Sequence, residues 1–197
     1  MINKIRKILK NIPAVVSLVR KVKKLSLPMH VKVGNSRVFI GNDLGMRKSY
    51  TSPGYFSSFE KIIDKYIKEG DVVIDIGAHV GITTLMMSEK VGIHGEVLSF
   101  EPSPNSFFIL NQNISNNEIK NVSLFQSAIA DKKGVLNFYT NKFHTGFNSL
   151  SKSNAEINIG IDNDLQAIEV STDTLDNIIY SNHKIPKFIK MDVQGAE

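Results

Sequence analysis

Short apolar runs alternate with helical patterns from about residue 70 onward. Buried strands are predicted at 71–76, 96–102, 121–131, 134–140 and 187–192, with a further extended segment at 167–171. Helical patterns follow the first two strands. The second begins at Ser103-Pro104 and runs to about Asn116, because proline suits the first helical position. Another short helix is predicted at 174–180. Strands that alternate with helices are typical of a doubly wound α/β sheet.

The preceding segment, 29–69, has a different pattern. Two alternating runs flank Gly34-Asn35, a pair that favours a β-hairpin. Residues 45–54 look irregular, and an amphipathic helix is predicted from Ser57, which caps it in a capping box with Glu60. The polar segment 141–166 predicts a loop over a site. The chain therefore divides into an N-terminal arm (1–28), a hairpin with a lead-in helix (29–69) and the α/β domain (70–197).

Positive charge is concentrated in the arm. Ten lysine and arginine residues precede the first acidic residue, Asp43, and the whole chain carries +5, so residues 43–197 carry −5. Apolar residues at helical spacing lie among these lysines, but the longest uncharged stretch, 11–19, is too short to span a bilayer. A basic amphipathic helix of this kind either packs on its own domain or makes peripheral contact with an anionic membrane. Co-sedimentation with anionic vesicles distinguishes these alternatives.

The chain contains no cysteine. This excludes a disulfide scaffold, a zinc–thiolate site and a cysteine nucleophile. A cysteine-free chain fits a reducing compartment, so we expect a cytoplasmic protein, with the arm as its only predicted route to a membrane surface.

Candidate chemistry begins at the end of the first buried strand, in the sequence DIGAHVG that runs from Asp75 through Gly77 to Gly81. A glycine there lets backbone and ligand approach closely, and the following helix begins at the carboxyl end of the sheet. The spacing differs from the G-x-G-x-x-G of dinucleotide sites, and the acid would repel a pyrophosphate. It suits a cationic ligand such as S-adenosylmethionine, which carries a sulfonium and an ammonium group.

Glu101 closes the second strand, where a carboxylate can accept hydrogen bonds from both hydroxyls of a ribose. Each of these features alone has an ordinary explanation: Gly77 and Gly81 as packing glycines, and Glu101 as a surface acid at a helix entry. All three occur in order, and each lies at a strand end. That combination predicts a nucleoside-type cofactor site.

Four segments together resemble the FkbM-type methyltransferases: Gly70 to Gly81, then Phe100-Glu101-Pro102, then Thr174-Leu175-Asp176, and finally the terminal IKMDVQGAE. The resemblance covers about residues 45–197. It implies a class I, Rossmann-like methyltransferase fold that uses S-adenosylmethionine and transfers a methyl group to a hydroxyl of a sugar, glycan or natural product. The chain departs from the family in having His79 where Asn is usual and Gln194 where Glu is usual.

The resemblance also suggests roles for individual residues. Asp192 would lie near the transferred methyl group, where it could bind the acceptor hydroxyl, take its proton or hold a metal. Its ordinary alternative is a cap at a helix entry. Lys190 should point the same way as Asp192, and could pair with it or orient the acceptor. Adenine would lie at the end of the third strand. The other candidate residues are Ser127 and Ala128 beside the adenine, His79 in the cofactor turn, and His79 and His144 as alternative bases. No metal site is predicted.

The resemblance implies that the fold normally continues beyond residue 197. In the family's strand order 3-2-1-4-5-7-6, this chain supplies 3-2-1-4, so we expect an incomplete sheet and a fragment of a longer enzyme. Two other classes stay open: a cofactor-binding remnant without catalysis, and a nucleic-acid methyltransferase. The latter is disfavoured because Asp192-Val-Gln-Gly replaces the Pro-Pro-aromatic motif of base-amino methylation, so no specific nucleic-acid partner is predicted. The sequence makes no prediction about oligomeric state.

Overall fold

The computed structural model describes residues 27–141, 145–159, 165–182 and 184–195 of the chain. The predicted helix of the N-terminal arm, the candidate base His144 and the terminal Glu197 lie outside the described residues. In the described part of the chain, no helix is long and apolar enough to cross a membrane.

A sheet of four parallel strands forms the centre of the molecule. Its members are β3 (Val72–Ile76), β4 (Glu96–Phe100), β5 (Val122–Phe125) and β9 (Phe188–Met191), and their spatial order is β5-β4-β3-β9. This order confirms the predicted arrangement 3-2-1-4. In the register, Asp75 on β3 lies between Ser99 of β4 and Lys190 of β9. The last residues of all four strands therefore end at one edge of the sheet.

Both faces of the inner strands β3 and β4 are covered, as parallel sheets require, whereas Ile189 and Met191 of the edge strand β9 are exposed. Alternate residues of β3 point to opposite faces, so Val73 joins one apolar cluster and Ile74 joins another. The first cluster contains α3 (Ile82–Val91) and α4 (Pro104–Asn116), which connect the strands. The second contains α6 (Leu175–Asn182), through Ile178. The observed bounds of α4 confirm the helix predicted from Ser103-Pro104 to Asn116.

A hairpin packs beside this domain. Strands β1 (His30–Val33) and β2 (Ser36–Phe39) pair through a two-residue turn at Gly34-Asn35, as the sequence predicted. Asn113 on α4 holds the hairpin in place. Its amide nitrogen donates to the carbonyl oxygens of Phe39 at 2.9 Å and Val80 at 2.8 Å, and its side-chain oxygen accepts from the Phe39 N–H at 2.8 Å. One side chain therefore joins β2 to the loop that begins the candidate site.

Two predictions for the segment after the hairpin are wrong. The irregular stretch contains a helix, α1 (Leu44–Tyr50), whose N-terminus is capped by the Asp43 carboxylate through the Met46 N–H at 3.0 Å. The next helix, α2 (Ser57–Tyr66), has Phe56 as its N-cap residue, and no side chain caps it. Ser57 is therefore already helical, so the capping box does not form. Phe56 instead packs edge-on against Tyr55.

A second, three-stranded sheet covers the carboxyl end of the first. It has the order β6-β8-β7, with β6 (Ala128–Ile129), β7 (Gly134–Asn141) and β8 (Leu165–Asp173). The single strand predicted at 121–131 is thus two strands, β5 and β6, in different sheets. The predicted loop 141–166 contains a 3-10 turn (Thr145–Phe147) and a helix, α5 (Lys152–Ile159). The loop prediction was wrong for that helix, although the 3-10 turn does lie over the crevice.

Candidate active site

A cavity of about 390 Å³ opens at the carboxyl ends of β3, β4 and β9. It is the crevice in which open α/β sheets bind their ligands. Most of the residues singled out in the sequence line this cavity: Gly77, His79, Glu101, Ser127, Ala128, Lys190 and Asp192. Asp75 and Gly81 are not among the lining residues. The structure thus brings to one cavity seven of the nine candidate residues that it describes.

Gly77 makes the sharp turn at the end of β3. Its φ is +75°, and a Cβ at this position would overlap the carbonyl oxygen of Asp192. The N–H groups of Gly77 and Ala78 both donate to the Phe100 carbonyl oxygen at 3.0 Å. Only glycine fits this combination of positive φ and close backbone approach. The turn therefore holds the ends of β3, β4 and β9 together at the mouth of the site.

Gly81 begins the helix that follows the turn. It is the N-cap residue of α3, with φ +92°, and a Cβ there would meet the side chain of Leu110 on α4. The structure gives it the packing function considered as its alternative. Its contact with a cofactor stays a prediction.

Asp75 is fully buried directly beneath the turn, and its oxygens already have partners. Oδ2 accepts hydrogen bonds from the hydroxyls of Thr83 at 2.8 Å and Thr84 at 2.7 Å. Oδ1 lies 3.0 Å from the Lys190 ammonium nitrogen, which directs its hydrogen bonds to the carbonyl oxygens of Gly77 at 2.8 Å and Ile76 at 3.3 Å. The Asp75–Lys190 contact is thus an ion pair without hydrogen-bond geometry.

This ion pair changes two expectations. Lys190 pairs with Asp75 and not with Asp192, which instead accepts a hydrogen bond from the Gln194 amide at 2.6 Å. The negative charge that the sequence placed at the turn is balanced inside the protein. Direct contact between Asp75 and a cofactor stays a prediction, but its visible function is to anchor α3 and Lys190.

Glu101 lies at the end of β4 with its carboxylate directed to the turn. Oε2 accepts from the His79 N–H at 2.8 Å, and Oε1 accepts from the Ser103 N–H at 2.9 Å. Burial raises the pKa of Glu101 to about 7, although both N–H donors and the Lys190 charge oppose this shift. A carboxylate oxygen can accept more than one hydrogen bond, so each oxygen retains capacity for a ligand hydroxyl.

His79 projects into the cavity from a strained position, with φ +52°. Burial lowers the pKa of the imidazole to about 4, so the ring is neutral near pH 7. Its Nδ1 lies 3.1 Å from the Tyr50 hydroxyl, and its Nε2 lies 2.9 Å from the Thr145 hydroxyl. Asp43 completes this group, because its Oδ2 accepts from the Thr145 N–H at 2.7 Å and from the Thr145 hydroxyl at 3.2 Å.

Tyr50 and Thr145 were missed in the sequence because they lie in segments predicted to be irregular, 45–54 and 141–166. Asp43, just before the first of these segments, was missed as well. A signal for one of them was present. Asp43 precedes a stretch compatible with a helix, and aspartate is a preferred N-cap residue. No sequence pattern indicated that Thr145 would reach His79, since that contact depends on how the second sheet folds over the first.

Among the residues that the structure describes, no cluster of three or more His, Asp or Glu side chains is arranged to hold a metal ion. The site therefore consists of a glycine turn, a hydrogen-bonding carboxylate, a balanced ion pair and a neutral histidine.

A parallel sheet in this order, with a glycine turn after β3 and a carboxylate after β4, defines a doubly wound domain with a ligand site at its carboxyl edge. The family model described as the methyltransferase FkbM domain matches residues 75–197, which is more than half of the chain. The chain belongs to the FkbM methyltransferase family. No curated protein matches it.

Solved structures with similar folds were also found. A SAM-dependent methyltransferase from Aquifex aeolicus is 22% identical over 46% of this chain and 49% of its own, with a TM-score of 0.38. A SAM-dependent O-methyltransferase from Thermotoga maritima is 23% identical over 42% and 32%, with a TM-score of 0.36. An rRNA methylase from Streptococcus thermophilus is 15% identical over 37% and 39%, with a TM-score of 0.33. The chain thus spans less than half the length of these structures.

Proposed function

We propose that the protein is an S-adenosylmethionine-dependent O-methyltransferase that acts on a hydroxyl of a sugar, glycan or natural product. The observation that carries the proposal is the Glu101 carboxylate. It stands at the end of β4 beside the cavity, in a chain whose family is that of FkbM methyltransferases. A nucleoside ligand offers two ribose hydroxyls to such a carboxylate.

The residues around the cavity fit the parts of this cofactor. Glu101 would accept the ribose hydroxyls, the turn at Gly77 would leave room for the methionine portion, and Ser127 and Ala128 would flank the adenine. When bound, S-adenosylmethionine supplies a methyl group activated by its sulfonium. Because Lys190 balances Asp75, the cationic cofactor would interact with the carboxylates of Glu101 and Asp192 rather than with an uncompensated charge at Asp75.

Asp192 is the proposed proton acceptor. It follows β9 at the cavity, and only one of its oxygens, Oδ1, accepts the Gln194 amide. As the acceptor oxygen forms its bond to the methyl carbon, its hydroxyl proton becomes strongly acidic. A carboxylate within hydrogen-bond reach can then take that proton. The neutral His79 is already engaged on both ring nitrogens, so it is less available as a base.

Glu101→Ala should weaken S-adenosylmethionine binding in calorimetry by about 1–3 kcal/mol, the range for hydrogen bonds to a charged group. Glu89→Ala, at an exposed position on α3, is the matched control and should bind like the parent protein. Equal affinity for the Glu101 variant would remove this residue from the cofactor site. Tighter binding of NAD than of S-adenosylmethionine by the parent protein would overturn the proposed function.

Binding should also depend on pH. The pKa of Glu101 in the unliganded fold is about 7, and the ionised form is the better acceptor for ribose hydroxyls. Affinity should therefore rise about tenfold between pH 6 and pH 8, as the ionised fraction rises from about one tenth to about nine tenths. Calorimetry in buffers of different ionisation enthalpy should show proton release near pH 7. A Glu101→Gln variant should lose both effects, and a pH dependence that persists in it would assign the titration to another group.

A further inference from the structure

Four side chains form a hydrogen-bonded series beside the cavity: Tyr50, His79, Thr145 and Asp43. A carboxylate can only accept hydrogen bonds, so the Thr145 hydroxyl gives its single proton to Asp43 Oδ2. The Thr145 oxygen must then accept from His79 Nε2–H. In a neutral imidazole the other nitrogen has no proton, so Nδ1 accepts from the Tyr50 hydroxyl. The donor and the acceptor of each hydrogen bond in the series are therefore determined by Asp43, which can only accept.

This direction determines what Tyr50 can offer a ligand. Its only proton is donated to His79, so its oxygen can act toward the cavity as an acceptor alone. Tyr50 lines the cavity, and its ring is fixed by contacts with Tyr55, at 5.8 Å between centroids, and Phe56, at 5.5 Å. Burial, together with the nearby acidic side chains, raises the pKa of the phenol, which therefore remains protonated.

Asp192 is a second acceptor-only group on the same cavity. A single hydroxyl has one proton and cannot donate to both groups. We propose that Tyr50 accepts a hydrogen bond from a second hydroxyl of the acceptor, beside the one that is methylated, so that the site selects vicinal diols such as pyranosides. The proposal rests on the proposed function and adds to it a residue that determines specificity. His79 and Thr145 act as positioning residues that keep the Tyr50 oxygen an acceptor.

The proposed hydrogen bond predicts which acceptors are poor substrates. Methyl transfer would replace an O–H bond of the acceptor with an O–CH₃ bond: the S–CH₃ bond of the sulfonium would break and leave a neutral thioether, and the proton would leave to Asp192. The second hydroxyl still donates to Tyr50, but an acceptor already methylated or deoxygenated at that position has no proton to donate. Such compounds should be poor substrates of the parent protein.

The test compares methyl transfer to methyl glucoside, mannoside, galactoside and rhamnoside with transfer to their monodeoxy and mono-O-methyl forms. For the best pyranoside, deleting the neighbouring hydroxyl should lower kcat/KM about 2- to 12-fold, the effect of one neutral hydrogen bond. In Tyr50→Phe this ratio should fall to about 1, mainly through KM. Tyr66→Phe, at an exposed position on α2, should keep the full ratio.

A spectroscopic measurement tests the orientation independently. Nitrogen NMR should show His79 as the neutral tautomer with the proton on Nε2, and Thr145→Val should remove that preference and reduce the discrimination between diol and deoxy probes. An Nδ1-protonated tautomer would overturn the proposal, as would an unchanged ratio in Tyr50→Phe. Failure to methylate any of the pyranosides by a protein that binds S-adenosylmethionine would overturn this inference alone. Failure to bind the cofactor would instead overturn the proposed function.

Discussion

Replacing Gly77 with alanine should destabilise the protein by about 3–5 kcal/mol, in the range reserved for severe single substitutions. The left-handed φ of +75° accounts for about 1–2 kcal/mol, since a Cβ clashes with its own backbone there. The rest comes from overlap with the Asp192 carbonyl oxygen, which is backbone and cannot rotate away. β9 would have to move from β3, and the cavity would lose the wall that carries Asp192.

Thermal and urea unfolding measure this effect, and Gly134→Ala is the matched control. Gly134 begins β7, a Cβ at this position would meet no atom within 4 Å, and its φ is not positive. That variant should unfold within about 0.5 kcal/mol of the parent, as surface substitutions usually do. If Gly77→Ala unfolds like Gly134→Ala and still binds S-adenosylmethionine, the close approach of the turn to Asp192 is not required for the site.

The sequence contains a strong signal for the proposed cofactor half of the site. Asp75, Gly77 and Glu101 each lie at the end of a buried strand, and parallel strands end at one edge, so their proximity could be predicted without tertiary information. The order of the central sheet could be predicted as well, from the family resemblance. The proximity of the three residues was predictable because it depends on local strand and turn patterns, which the structure also shows.

The proposed acceptor half, around Tyr50, His79 and Thr145, was not predictable in this way. Tyr50 lies on α1, which precedes His79 in the chain, and Thr145 lies in the 3-10 turn, which follows it by 66 residues. The two side chains reach His79 only through the tertiary fold. Lys190 illustrates the same limit. Strand alternation predicts the face of the sheet to which Lys190 points. Its ion-pair partner, Asp75, follows from the register between β3 and β9, in which the two residues lie side by side. Partners across strands depend on register, which a single sequence does not reveal.

Removing one member of the Asp75–Lys190 pair while the other remains should strongly reduce the free energy of unfolding. Asp75 has no exposed surface, and Lys190 is the cation next to its Oδ1. Lys190→Met should therefore cost about 3–5 kcal/mol, because it leaves a buried carboxylate without its counter-charge. Lys187→Met changes an exposed lysine just before β9 and should cost less than about 0.5 kcal/mol.

The double variant Asp75→Asn with Lys190→Met separates the structural role of this pair from a catalytic role of Lys190. An asparagine oxygen can still accept from Thr83 and Thr84, so most of the lost stability should return, with a coupling free energy above about 1 kcal/mol for residues in direct contact. If Lys190 acts only by neutralising Asp75, the double variant should bind S-adenosylmethionine and transfer methyl groups at a rate close to that of the parent. If Lys190 contacts the acceptor, cofactor binding should survive while transfer falls by one or more orders of magnitude. A single variant Lys190→Met as stable as Lys187→Met would contradict the ion pair itself, because a buried carboxylate cannot lose its neighbouring cation without a free-energy cost.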